Sequence, residues 1–255
     1  VRRGVHAPAL GEGADVPGLA SLERRGSPLV RAAVREQRES VLFMGLLVVV
    51  TSVVWLLDGR DEAAMLAFAL AACTAALSAG LAFAEPRRLG VLELELAARP
   101  RREVFRRRAL TALLVTGLGA LVVPGVVLAA LGGFAPSSAP GWALAMLVVW
   151  SCSLAFATTG RAVGTALVGG LGLAFLVFAT NFAFVLGAAW LVDVTPSEVD
   201  GRLLWAALAV SAVLALVGAR WRFVEQPQAG WRAWSVIAVA QLVSSTLFGL
   251  ASALR

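Results

Sequence analysis

The sequence contains no lysine and no tyrosine; all 22 of its basic residues are arginine. Without lysine no Schiff base can form, which excludes a retinal-type protein. The one histidine, His6, lies in a polar N-terminal stretch. Membrane metalloenzymes that gather several imidazoles around a metal are therefore excluded. Two cysteines, Cys73 and Cys152, fall inside apolar runs with no C-x-x-C or metal-ligand spacing. They read as small apolar side chains. Charge is also scarce. Charged residues make up 15% and hydrophobic residues 59% of the 255, where a soluble domain has about 25% and about 45–50%. With a mean hydropathy of +0.83, the chain belongs in a bilayer, and intrinsic disorder is excluded for its bulk.

What is present is a set of long uncharged stretches. A spanning helix needs about 20 apolar residues. Seven segments approach that length: 41–57, 63–84, 109–132, 142–159, 165–192, 203–219 and 233–254. Pro124 predicts a kink in the third, and Gly169, Gly170 and Gly172 a tilt or break in the fifth. The expected fold is all-α: a polytopic helical membrane protein with six to seven transmembrane helices in one domain, 27–255. Residues 1–26 form a flexible polar tail with no apolar h-region, so no signal peptide is expected.

The linkers alternate in charge. Residues 1–40 carry seven Arg against five acids, residues 85–108 carry eight against four, and residues 220–232 are also net basic. Segments 58–62 and 193–202 are net acidic. The positive-inside rule then puts the N-terminus and the basic linkers in the cytoplasm of a multi-pass inner or plasma membrane protein. The net charge of +6 belongs to those loops and to the lipid bilayer, with no nucleic acid partner implied. Tryptophans sit near most span ends; Trp150, in mid-span, is the exception.

Two basic segments have helical patterning of their own. In 26–40, Ser27 and Pro28 form a helix start, and Arg31, Arg35 and Arg38 recur at i, i+4 and i+7. This predicts an interfacial helix on the inner headgroups. In 85–108, Leu89, Leu92 and Leu96 recur at i, i+3 and i+7, and Pro100 ends the pattern. A short amphipathic helix of about ten residues follows, with Arg106, Arg107 and Arg108 as membrane-interface anchors. Such a helix either seats in a groove of a soluble partner or rests on anionic lipid.

The run Glu85-Pro-Arg-Arg-Leu-Gly90-Val-Leu-Glu93, followed by Leu96-Ala-Ala-Arg-Pro100 and the basic stretch to Leu110, resembles type-2 ABC transporter permeases. That family typically reads Glu-Arg-x-x-Gly-Thr-Leu-Glu at the end of its second span, then a Pro and a basic stretch. Glu85, Gly90, Leu92, Glu93 and Pro100 match; Val91 replaces the usual Thr, and Pro86 follows the first Glu. The resemblance covers about residues 28–130. The family usually has six spans with both termini inside, one fewer than counted here. The resemblance implies that 86–99 is a coupling helix, with Glu85, Gly90, Leu92, Glu93, Leu96 and Pro100 at the contact with a separate ABC ATPase subunit. It also implies a second permease copy, identical or paralogous. ATP and Mg would be bound by the ATPase. This chain has no G-x-x-x-x-G-K-[ST] loop, so no enzymatic activity and no cofactor of its own are expected.

None of the seven stretches contains an acidic or basic residue. That disfavours ion-coupled carriers, which usually need intramembrane carboxylates. Asn181 and Gln241, the only amides in the spans, are the candidates for a translocation path; such groups more commonly bond helix to helix. The expected function is the permease subunit of an ATP-driven exporter of a hydrophobic or amphipathic substrate. The rivals are a non-transporting membrane scaffold and an ion-coupled carrier.

Overall fold

The computed structural model of the chain describes residues 60–116, 139–159, 162–191, 201–225 and 230–253, with scattered helical positions between 42 and 56. The N-terminal tail, the 26–40 segment with Arg31, Arg35 and Arg38, and Pro124 lie outside the described residues. Among the described residues seven helices follow in order: α1 (Arg60–Arg88), α2 (Val91–Ala98), α3 (Arg101–Thr116), α4 (Ala139–Ala157), α5 (Val163–Leu191), α6 (Gly201–Val224) and α7 (Gly230–Ala253). No strand occurs among the described residues.

Among the described residues, four helices are long and apolar enough to cross a membrane: Met65–Arg88, Pro140–Ala157, Val163–Gly187 and Leu204–Val224. At ~1.5 Å per residue three of them exceed a hydrocarbon core about 30 Å thick, and Pro140–Ala157, at about 27 Å, falls just short of it. They mark a membrane-embedded protein. In α7 the apolar stretch is shorter, Ala238–Ala251.

Side-chain placement is inverted relative to a soluble bundle. Large apolar residues point outward: Val168, Phe175 and Leu176 on α5, Leu242 and Leu247 on α7, Leu110 and Leu114 on α3. Much of the interior is made of small side chains. Ala67, Ala71, Ala75 and Ala79 form a buried stripe on α1 at four-residue spacing, with Thr74 and Ser78 beside them. Lipid tails are as apolar as leucine, so burying large side chains gains little here. Close backbone packing and hydroxyl hydrogen bonds hold the helices instead.

Helix α4 is the centre of the bundle, packed against α1, α5 and α6; α7 packs on α5 and α6. The glycines of the fifth stretch serve that packing. Helix α5 runs unbroken from Val163 to Leu191, so of the expected tilt or break there is no break. Gly170 is buried against Ser153 of α4, and a Cβ at Gly170 would collide with the Ser153 backbone and side chain. The glycine lets two helices touch; the helix does not need to bend.

At the arginine-rich end, three rings clamp α1, α3 and α6. Phe83 lies 5.3 Å from Phe223 edge-on and 5.6 Å from Phe105, and Phe105 lies 5.7 Å from Phe223. All three are buried in the main core, which also takes in Leu92 of α2. The short helix is therefore anchored to the bundle.

Candidate functional site

The candidate site is the 85–108 hinge. Gly90 sets its geometry. Its φ of 72° and ψ of 2° are left-handed, a conformation that glycine adopts without a Cβ clash. Its N–H donates to the Arg87 carbonyl at 3.2 Å, closing α1, and its own carbonyl accepts from Leu94 N–H at 3.4 Å, opening α2. The helix expected over 86–99 is thus shorter, Val91–Ala98, because residues 86–88 still belong to α1. Arg99 is extended (φ −142°, ψ 152°), as a residue before proline favours. Pro100 then starts α3, its carbonyl accepting from Glu103 and Val104 N–H at 3.0 and 3.2 Å.

The leucines of this hinge divide between two directions. Leu92 is 1% exposed and sits in the core, and Leu96 packs partly buried against it. Leu89, Val91 and Leu94 point away, with Leu94 72% exposed. Glu93 is exposed on the same outward side. The helix has one face fixed to the bundle and one apolar face free of the described residues.

Arg108 fixes the inner face. It was expected among the interface anchors with Arg106 and Arg107; instead it is 4% exposed, while Arg106 is exposed and Arg107 half-buried. Its Nε donates to Glu95 Oε2 of α2 at 2.9 Å, and its Nη1 to the Ala82 carbonyl of α1 at 2.9 Å. The second bond has a covalent cause. Ala82 would normally accept from the N–H four residues on, but that residue is Pro86, inside α1, which has none. Arg108 supplies the missing donor and reaches α2 with the same guanidinium. The desolvated charge is paired and bonded, as burial requires.

Further contacts close the hinge. Glu85 pairs with Arg88 at 2.6 Å, and Arg99 with Glu103 at 3.6 Å. Arg101 Nη1 donates to the Phe223 carbonyl at 3.3 Å, a cation against a helix C-terminus. Arg102 faces Glu225 at 4.0 Å. Deeper in the bundle, Ser78 and Thr116 share a hydrogen bond between α1 and α3.

The two amides are brought together, with a residue the sequence did not single out between them. Ser211 of α6 accepts from Asn181 Nδ2 at 3.3 Å and from Gln241 Nε2 at 2.7 Å, and donates to the Ala207 carbonyl at 2.7 Å. Asn181 also donates to the Val177 carbonyl at 2.8 Å. Gln241 also donates to Ser245 at 3.1 Å, and Ser245 donates to Asn181 Oδ1 at 3.1 Å. Asn181, Ser211 and Ser245 are buried. All amide donors are engaged, and this knot joins α5, α6 and α7. Ser211 carries no signal in its own helix; its role comes from partners 30 residues away on each side.

Among the described residues, no group of three or more His, Cys, Asp or Glu could hold a metal. Compared with known proteins, the chain matches no family model, no curated protein and no solved structure.

Proposed function

We propose that the chain is the membrane subunit of an ATP-driven exporter, with α2 as the element that docks on a separate ATPase. The observation that carries this reading is the two-faced α2. One side is fixed to α1 and α3 through Leu92, Glu95 and Arg108; the other presents Leu89, Val91, Glu93 and Leu94 outward at the arginine-rich end. A rigidly mounted amphipathic helix of this kind transmits a push or pull from a partner into the helices it is fixed to. The Glu85, Gly90, Leu92, Glu93 and Pro100 pattern supports the same reading, as do seven long stretches free of acidic and basic residues.

In this reading the chain has six to seven spans in the inner or plasma membrane, with its N-terminus and the 85–108 hinge in the cytoplasm. Two permease copies enclose the path, and ATP and Mg are bound by the ATPase. The apolar outward faces and the scarcity of membrane charge fit a hydrophobic or amphipathic substrate.

The test is purification from native membranes in mild detergent, with ATP hydrolysis assayed on the complex. The proposal expects hydrolysis that follows the chain through purification and falls on Leu94→Asp, with the membrane subunit still folded. A stable complex devoid of nucleotide hydrolysis supports the scaffold instead.

A further inference from the structure

Beside the hinge, on the far side of α3 from α2, a groove of about 600 Å³ opens between α3, α4 and α6. Its composition changes along its length. Arg102, Arg106 and Arg220 stand at one end, with Glu103 as the only acid in the lining. Three cations against one carboxylate leave a surplus of two positive charges. Arg102 is shared with Glu225 and Glu103 with Arg99, whereas Arg106 and Arg220 are exposed and form no ion pair among the described residues. Further in, the walls are Leu110, Leu113 and Leu216, and Trp150 closes the inner end.

Trp150 is the tryptophan that does not sit near a span end. It is 1% exposed, and its indole N–H has no hydrogen-bond partner within the described protein. That N–H is sealed from the groove, so a ligand there meets the edge of the ring and not the donor.

We propose that this groove binds an anionic phospholipid of the surrounding bilayer. The phosphate sits between Arg106 and Arg220, and the first part of an acyl chain lies along Leu110, Leu113 and Leu216. The far part of that chain meets the Trp150 ring at the inner end. The argument is one of complementarity: cations are placed where α3 and α6 leave the apolar zone, apolar walls run inward from them, and an aromatic ring closes the inner end. A zwitterionic lipid matches the walls but not the surplus charge. A free phosphate ion matches the charge but leaves the apolar length uncovered. The site stands independently of the transporter reading, because it needs only the bundle and a membrane.

The test uses the full chain reconstituted in phosphatidylcholine vesicles, titrated with phosphatidylglycerol carrying brominated acyl chains, with tryptophan quenching as the readout. Brominated phosphatidylcholine is the reference. The proposal expects a quenching component specific to phosphatidylglycerol that disappears in Trp150→Phe. Arg106→Ala and Arg220→Ala should each weaken phosphatidylglycerol about fivefold, as befits one interfacial cation, and Arg106→Lys should restore most of the loss. Both arginines are exposed, so these variants keep the fold. Equal quenching by the two lipids overturns the proposal. So does a phosphatidylglycerol component that inorganic phosphate displaces at millimolar concentration, which would make the groove a free-anion site. A component that survives Trp150→Phe places the lipid elsewhere and also overturns it.

Discussion

Arg108 donates to the carbonyl of Ala82, the acceptor that Pro86 leaves without a helical partner. The proline at the end of α1 and the arginine near the start of α3 are thus two halves of one device, and Glu95 of α2 completes it. Arg108→Ala should destabilise the protein by about 3 kcal/mol, the low end for breaking a buried pair, measured by thermal unfolding in detergent. Pro86→Ala returns an N–H to Ala82. In that background the Arg108→Ala loss should shrink by about 1 kcal/mol, a coupling a double-mutant cycle reads directly. Strict additivity would show that the Ala82 bond contributes nothing.

Leu92 and Leu94, two residues apart, should behave oppositely. Leu92→Asp puts a carboxylate into the core at a 1% exposed position and should prevent recovery of folded protein. Leu94→Asp changes a 72% exposed side chain. It should leave the unfolding temperature unchanged within error while lowering partner-dependent ATP hydrolysis. Gel filtration and unfolding scans of the two variants check the first half, and the assay on the complex checks the second.

Ser211→Ala removes the hydroxyl that receives both amides. The cost should be about 1–2 kcal/mol, modest because other partners remain for Asn181 and Gln241. Hydrogen exchange should show the loss on α5, α6 and α7 and not on α1. Protection lost evenly over the whole bundle would contradict a local fastening.

Gly170→Leu places a side chain where Ser153 already lies. It should lower stability by about 1–3 kcal/mol or more through overpacking. Gly172→Ala is the control, since a Cβ there meets nothing within 4 Å; it should be neutral or slightly stabilising. Unfolding midpoints in a denaturing detergent series distinguish the two.

The helical, membrane-embedded character was legible in the sequence because hydropathy and length report on solvent, and the bilayer is the solvent. The end of the short helix near Pro100 was legible because proline acts locally. Its start was not: Gly90 ends α1 only by adopting a positive φ, and helical spacing ran through it. Leucine spacing likewise gave Leu89, Leu92 and Leu96 as one stripe, whereas tertiary packing took Leu92 and Leu96 inward and left Leu89 out. Arg108 looked like its neighbours Arg106 and Arg107. Only the carbonyl freed by Pro86, 22 positions earlier in the chain, distinguishes it. Asn181 and Gln241 stood out as rare polar groups, but the hydroxyl between them, Ser211, depends on contacts that no single helix reveals.

The central claim is that the outward face of α2 meets an ATPase. Its most direct test places a photo-activated benzoylphenylalanine at position 94, and separately at the exposed position 110 on α3, in native membrane vesicles open to added nucleotide. Ultraviolet light should join position 94 to a polypeptide that binds and hydrolyses ATP, with a yield that changes when nucleotide is added, while position 110 gives no such product. If position 94 reacts with lipid alone, or with nothing, in every nucleotide condition, the docking account is wrong.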